Sequence, residues 1–353
     1  MIKNQRGAKT DFVLLVAIIF LVVFGIVSLK SLAPSLFPLY FLYLVLGIIG
    51  FFVFTQIDFD VLSLFSKHFY ILSIVFLITP LFIGQVTRGA IRWIPIGALT
   101  IQPAEIVRPF LFIFFANYLT REKPTVKRLL KSLVLLAIPT FLILIQPSLG
   151  VSILTVIGFI GILSATEIKK KYLFLGGVLL LILLPLSWQV LAPYQKERIV
   201  YFIEPAKDPY GAGYNSLQSM ISVGSGKFFG RGLGKGVQTQ LAFLPERHTD
   251  FIFASIAEEM GFLGAGLILV ALFLVFWRIT KIILEPRSFA ARAFASGIFL
   301  ILFGQTFVHI GMNMGLLPIT GLPLPLVSGG GSSLLATSIS LAIVSTCRKQ
   351  IQT

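Results

Sequence analysis

The sequence predicts an all-α polytopic membrane protein with about ten transmembrane helices, both termini cytoplasmic and one long extracytoplasmic loop before the eighth helix. Three observations carry this reading. Hydrophobic residues make up 56% of the 353 positions and charged residues only 12%, with a mean hydropathy of +0.94. A water-soluble domain of this length needs far more polar surface. The apolar residues also fall in long runs separated by short charged clusters, the pattern of successive membrane helices. Finally, Lys and Arg gather at Lys3 to Lys9, Lys67, Arg121 to Lys131, Lys169 to Lys171, Arg278 to Arg292 and Arg348 to Lys349. The positive-inside rule places these clusters in the cytoplasm, and one hairpin per gap gives the helix count. The chain reads as a single membrane domain over residues 1–353.

The same numbers restrict function. A formal charge of +15 on a soluble protein would suggest nucleic acid, but here most of the excess is cytoplasmic loop charge. No nucleic-acid partner is expected; anionic headgroups of membrane lipids or an anionic substrate are. The single cysteine, Cys347, allows no intrachain disulfide. The basic start before Phe12 mimics a signal peptide, yet its apolar run is too long and no small-x-small site follows cleanly. It reads as a retained first helix.

The first hairpin spans Phe12 to Leu29 and Leu39 to Gln56, turning at Ala33-Pro34. The second spans Phe69 to Gly84 and Glu105 to Leu119 around an outer loop. The third is compressed: Ser132 to Ala165 holds about 34 residues for two crossings of roughly 20 each. Basic flanks force a pair there, and Gln146-Pro147-Ser148-Leu149-Gly150 supplies the turn. The fourth pair is Tyr172 to Leu191 and Phe251 to Trp277, joined by the long segment 192–250. The fifth is Ala293 to Met312 and Ser333 to Thr346, joined by the Gly- and Pro-dense stretch Gly315 to Ser332.

Chemistry concentrates in residues 192–250. A loop this long is functional or disordered. Its apolar stretches Asn215 to Val223 and Gln240 to Leu244 argue for order, the first as an amphipathic helix on the membrane surface. Arg198, Arg231, Lys235 and Arg247 can face phosphate, and its glycines let backbone approach a ligand. Pro245-Glu246-Arg247-His248-Thr249-Asp250 ends the segment where a membrane helix begins. Partial desolvation there makes Asp250 a better proton acceptor, with Arg247 or His248 holding it ionised. Asp250 and Thr249 equally suit a helix cap. Position alone leaves both roles open, and they can coexist.

Three further groups are candidates. In the outer loop Thr87 to Gly97, Trp93 fits an interfacial anchor, while Arg88 and Arg92 beside it, against the positive-inside preference, suggest an anion to hold. Glu105 and Arg108 are three apart on one helix face within the membrane, either a structural ion pair or part of a polar cavity. Glu258-Glu259 lie about two turns past Asp250, one placed to face its cavity and one to pair with a cation. His309 and Asn313 read as helix-packing hydrogen bonds, and His68, His248 and His309 are too scattered for a metal cluster.

Taken together, these stretches resemble the SEDS family (shape, elongation, division and sporulation). The matching pieces are Arg88-Gly89-Ala90 with Arg92-Trp93-Ile94, Gln102-Pro103-Ala104-Glu105, Asp208-Pro209-Tyr210-Gly211-Ala212-Gly213-Tyr214 and Gly230-Arg231-Gly232-Leu233-Gly234. Leu244 to Phe253 is the strongest, followed by Glu258-Glu259-Met260-Gly261, Gly315 to Pro323 and Ser328 to Ser333. The motifs keep their order nearly end to end. Met312-Asn313-Met314-Gly315 and Gln238-Thr239-Gln240-Leu241 look closer to the RodA branch than to the FtsW branch.

The resemblance implies a ten-helix peptidoglycan glycosyltransferase in the bacterial cytoplasmic membrane. Its substrate would be lipid II and its partner a class B penicillin-binding protein, a transpeptidase. It implies Asp250 as the catalytic residue and a functional role for Trp93. Three departures stand out. Ser148 replaces the aspartate of a Gln-Pro-Asp-Leu-Gly pattern, Gly329 replaces the tyrosine of Ser-Tyr-Gly-Gly-Ser, and Arg108 stands where lysine is common.

The expected reaction is attack of a sugar 4-hydroxyl on the anomeric carbon of a lipid-linked strand, with undecaprenyl pyrophosphate leaving. A hydroxyl needs a general base, assigned to Asp250. The leaving pyrophosphate needs charge neutralisation, from Arg198, Arg231, Lys235, Arg247 or Arg92. A divalent cation can share that task, although no ligand cluster is evident in the sequence. The rival readings are a flippase of lipid-linked sugars, resting on Glu105, Arg108 and helices broken near Pro103 and Pro147, and a non-catalytic scaffold of the cell-wall machinery.

Overall fold

The computed structural model describes residues 11–83, 85–87, 90–123, 125–204 and 211–349. The Arg88-Gly89 and Asp208-Pro209-Tyr210 motif pieces, the basic cluster from Lys3 to Lys9 and both chain ends lie outside these residues. Helices dominate. They are α1 (Phe12–Leu32), α2 (Phe37–Thr55), α3 (Phe59–Leu64), α4 (Ser66–Ile83), α5 (Pro103–Ile106), α6 (Arg108–Thr120), α7 (Val126–Ile145) and α8 (Leu149–Ser164). Then come α9 (Lys170–Val190), α10 (Pro193–Ile203), α11 (Ala212–Ser225), α12 (Val237–Gln240), α13 (Ile252–Leu284), α14 (Phe289–Asn313) and α15 (Gly331–Thr346).

Among the described residues, α1, α2, α4, α7, α13 and α14 are long and apolar enough to cross a membrane, and α8 and α15 are shorter apolar helices. Their outer faces carry Phe12, Ile19, Phe52, Phe82, Phe141 and Phe273, all exposed. A soluble protein does not turn so much apolar surface outward. The chain is a multi-pass membrane protein.

Helix starts follow local chemistry. Asp11 accepts from Leu14 N at 3.2 Å, Thr125 from Arg128 N at 3.2 Å, and Ser288 from Ala291 N at 3.1 Å, each satisfying a first-turn N–H. The core forms around α14, which packs against α8, α6 and α13, while α15 packs on α2. Small residues permit the close crossings: a Cβ on Gly161 of α8 would sit 2.5 Å from Ser296 O of α14. Gln146 to Ser148 turns between α7 and α8, as the compressed third hairpin requires.

The ends of α1, α3, α13 and α15 are joined by ion pairs. Asp11 pairs with Arg278 and lies 3.7 Å from Arg348. Arg287 binds Asp58 at 2.7 Å and Asp60 at 3.0 Å. Burial disfavours the Arg287 cation, but the Asp58 hydrogen bond and both carboxylates outweigh it and hold its pKa above the ordinary value.

The all-α expectation needs correction. The expected loop after α4 forms an antiparallel sheet of β1 (Gln85–Thr87), β2 (Ala90–Ile96) and β3 (Leu99–Ile101), in that spatial order. Ile96 pairs with Leu99, leaving a two-residue turn whose first member, Gly97, has φ +61, a conformation such hairpins demand. β-branched residues and tryptophan in β2 favour the strand. Tyr43 of α2 fixes the sheet by donating to Thr100 O at 2.7 Å.

The segment 192–250 is likewise not a bare loop, since it carries α10, α11 and α12. The expected helix at Asn215 to Val223 exists within α11, with an unusual distribution. Ser216, Ser219 and Ser222 are buried, while Leu217, Met220 and Ile221 are exposed.

α13 runs past Trp277 to Leu284 and is broken at Gly261, where φ is +67 and ψ −163. Residues 227–232 fill the break. Arg231 N and Gly232 N donate to Glu258 O and Glu259 O at 2.9 Å, and Phe262 N and Leu263 N donate to Lys227 O and Phe228 O at 2.8 and 3.1 Å. Backbone groups orphaned by the break are thereby satisfied. Only glycine fits: a Cβ at 261 would lie 2.3 Å from Gly230 N.

Candidate active site

Residues 244–250 form a tight turn before α13, anchored by Leu244, which is buried. Five consecutive carbonyls in it each accept a hydrogen bond. Glu246 O takes the N–H groups of Thr249 and Asp250, both at 3.0 Å. Arg247 O lies 3.1 Å from Ser255 Oγ, a hydroxyl shared with Phe251 O. His248 O accepts from Gly329 N at 2.9 Å. Thr249 O accepts from Ser328 Oγ at 2.8 Å, and Asp250 O from Asn313 Nδ2 at 3.0 Å. The Arg247 Nε donates to Leu32 O, the last residue of α1, at 3.1 Å, a favourable place for a cation. The backbone bearing Asp250 is thus fixed from α1, α13, α14 and the 315–330 connector, as a preorganised site requires.

Asp250 itself is half-buried. Its carboxylate faces the connector: a Cβ built on Gly321, where φ is +70, would sit 3.4 Å from Asp250 Oδ2. The residue at the helix start is Phe251, and it makes no side-chain cap. Asn313 Oδ1 accepts from Ala254 N at 3.0 Å instead, capping α13 from a neighbouring helix.

Arg198 of α10 is brought to the same connector, donating to Ile319 O at 3.2 Å, two residues from Gly321. With Tyr201, Phe202, Ser216 and Ile319 it lines a small cavity. Arg247 and His248 share Asp250's turn. Arg231, on the segment that fills the α13 break, and Lys235, three residues beyond it, are exposed, and Arg231 Nε donates to Ser225 Oγ at 3.2 Å.

Arg92 goes elsewhere, into electrostatic range of Glu105. Trp93 lies opposite Gln85 in the sheet, with its indole N–H enclosed and no acceptor among the described residues. Glu105 and Arg108 are buried together, Oε1 to Nη2 3.8 Å, in a small cavity closed by Pro109, Ile298, Ile301 and Thr337.

Glu258 and Glu259 depart from expectation. Neither takes up a cation in the ion pairs among the described residues. Glu258 accepts from Gln238 N and Thr239 N at 2.9 and 3.0 Å, the start of α12. Glu259 accepts from Ser31 Oγ, Gly234 N and Gln240 Nε2 at 2.8, 3.1 and 2.9 Å. Backbone donors are numerous where a helix begins, so Glu258 finds partners there without a basic side chain, while Glu259 is satisfied by a hydroxyl, a loop N–H and an amide side chain.

Two of the substitutions noted above have local consequences. Ser148 Oγ lies 3.4 Å from Gln102 Nε2, so a hydroxyl faces that amide. Gly329 passes so close that a Cβ would be 3.0 Å from His248 O, and the missing side chain lets its N–H reach that carbonyl. His309 and Asn313 make buried hydrogen bonds between elements, as anticipated. Ser255 and Ser31 gave no signal in the sequence, since short hydroxyl residues are common in membrane helices and turns. No group of three His, Cys, Asp or Glu side chains converges as a metal site among the described residues.

Known proteins share this sequence and fold. The family described as Cell cycle protein, FTSW_RODA_SPOVE, matches residues 8–353. The peptidoglycan glycosyltransferase MrdB of Escherichia coli K12 is 37% identical over 302 residues, 85% of this chain and 82% of that protein. A probable peptidoglycan glycosyltransferase FtsW of Buchnera aphidicola subsp. Baizongia pistaciae is also 37% identical, over 86% and 81%. A solved structure described as "Structural coordination of polymerization and crosslinking by a peptidoglycan synthase complex" superposes with a TM-score of 0.84 at 29% identity, covering 96% of this chain and 97% of that one. The rod shape determining protein RodA of Thermus thermophilus gives 0.72 at 26% identity, covering 96% of each chain. The chain belongs to the FtsW, RodA and SpoVE family, the SEDS proteins.

Proposed function

We infer that Asp250 is the general base of this protein, a peptidoglycan glycosyltransferase of the SEDS family acting in cell-wall synthesis. The observation that carries the assignment is the clamped turn: five held carbonyls fix the backbone, Asn313 accepts from Ala254 N at the start of α13, and the Asp250 carboxylate faces the Gly321 connector. A base on such a frame takes the proton of an incoming sugar hydroxyl without reorganising.

The substrate in this reading is lipid II. Its 4-hydroxyl attacks the anomeric carbon of a lipid-linked strand, the proton passes to Asp250, and the carbon–oxygen bond to undecaprenyl pyrophosphate breaks. Arg198, held on the same connector, neutralises the leaving group. Arg231 and Lys235 extend the positive surface along residues 226–236. Trp93 and the sheet border the outer face, and Arg92 supports the Glu105–Arg108 pair.

The reading includes ten crossings with both termini in the cytoplasm of a bacterium and residues 192–250 outside. The ion pairs joining Asp11, Arg278 and Arg348 support placing the two ends on one side. A class B penicillin-binding protein is the expected partner, in keeping with the complex that the fold matches. Purified protein incubated with lipid II should yield glycan polymer on a gel, and Asp250→Ala should yield none. Polymer from Asp250→Ala at the parent rate rules out the base; none from the parent, even with a partner transpeptidase, rules out the polymerase.

A further inference from the structure

The polar face of α14 reaches both walls of the site. Gln305, His309 and Asn313 recur every fourth residue and so lie on one face. Gln305 Nε2 donates to Pro323 O at 2.7 Å. His309 Nδ1 lies 2.7 Å from Leu322 O, and since a carbonyl only accepts, that nitrogen carries the proton. These two side chains hold the connector immediately beyond Gly321. Asn313 holds the other wall. Its Oδ1 accepts from Ala254 N at 3.0 Å, and its Nδ2 donates to Asp250 O at 3.0 Å and to His309 O at 2.8 Å. Its own carbonyl accepts from Ser219 Oγ of α11 at 2.8 Å. The side chain is fully buried, and its oxygen and both amide hydrogens are used.

We propose that Asn313 is a positioning residue that sets Asp250 against the Gly321 connector, through the hydrogen bond from Nδ2 to Asp250 O. The inference rests on the assignment of Asp250 as base. A bland account makes Asn313 only a helix cap, and the two accounts separate by atom. The cap uses Oδ1; the positioning uses Nδ2. Aspartate keeps the first and loses the second, turning an oxygen on two carbonyls that need a donor.

The test is polymerisation of lipid II by purified full-length Asn313→Asp, Asn313→Ala and Asp250→Ala, with thermal melts of the same samples. The proposal expects Asn313→Asp to melt near the parent, because the cap acceptor remains. Its kcat per folded molecule should fall by about 100-fold, the cost of a displacement near 1 Å at a reacting centre, with KM for lipid II unchanged. Asn313→Ala should lose a similar factor per folded molecule and also melt earlier.

If Asn313→Asp turns over within twofold of the parent per folded molecule while Asp250→Ala is inactive, the positioning role is overturned and the base survives. If Asp250→Ala is as active as the parent, the base falls and the inference with it. If Asn313→Asp does not fold, the per-molecule turnover of Asn313→Ala decides by the same criterion. Failure of both to fold makes Asn313 purely structural and overturns the proposal.

Discussion

Replacing Gly261 with alanine should release the segment that bears Arg231 and Lys235. The backbone at 261, φ +67 and ψ −163, lies in a region that costs a residue with a side chain about 1–3 kcal/mol. The added Cβ would also lie 2.3 Å from Gly230 N and 2.5 Å from Phe228 O, main-chain atoms that cannot swing aside. Relief requires breaking the exchange between 227–232 and the α13 break, which comprises four hydrogen bonds. At about 1 kcal/mol each these hold the segment by about 4 kcal/mol. Alanine also favours a continuous helix over the break by about 1 kcal/mol. The variant therefore favours a straight α13 with the segment detached.

Lys227, Arg231 and Lys235 make that segment readable by trypsin. Losing about 4 kcal/mol of closure raises the open fraction by up to about 10³-fold, at 1.4 kcal/mol per tenfold. Cleavage in this region should accelerate correspondingly in detergent-solubilised protein, while the helix signal in circular dichroism stays near the parent's. Lipid II polymerisation should drop in parallel. Cleavage at the parent rate, with an unchanged melting temperature, would refute the reasoning, because it would show that position 261 tolerates a Cβ.

Two other perturbations test the frame. Asp11→Asn removes the shared partner of Arg278 and Arg348, leaving a largely buried guanidinium uncompensated. The melt should show a loss of about 3 kcal/mol, the low end for breaking a buried pair. In the buried pair, Glu105→Gln or Arg108→Met alone should cost about 3–5 kcal/mol, whereas Glu105→Leu with Arg108→Met should recover most of it. A double variant no better than the singles would mean that the charges serve something beyond each other.

The helices were legible because hydropathy and basic clusters dictate them independently of tertiary detail. The paired helices at 126–145 and 149–164 followed from two basic flanks and a Pro-Gly turn. The small sheet was not, because three short strands between helices carry too little alternation to outweigh a loop reading. The break in α13 was hidden for another reason. Glycine is ordinary in membrane helices, and nothing local at Gly261 says that residues 227–232 will come back to fill it. For the site, the Asp250 motif and Arg198 could be picked out by charge and position. The contacts by which Ser328 and Asn313 hold the Asp250 turn could not, because these residues, noted in the sequence for other reasons, lie 78 and 63 residues away from it and act through backbone carbonyls that no side-chain pattern records.

That distance has a consequence for how the protein comes into being. The turn at 246–250 is secured by α1, written first, and by α14 and the 328–329 step, written near the end of the chain. Contacts of such separation close late, since the loops they span carry the largest entropy cost. A nascent chain that has laid down everything through α13 already carries Asp250, Leu32 and Ser255 but lacks Asn313, Ser328 and Gly329, which hold the rest of its turn. With Asp250 as the proposed base, the frame around it is complete only when those last elements are in place.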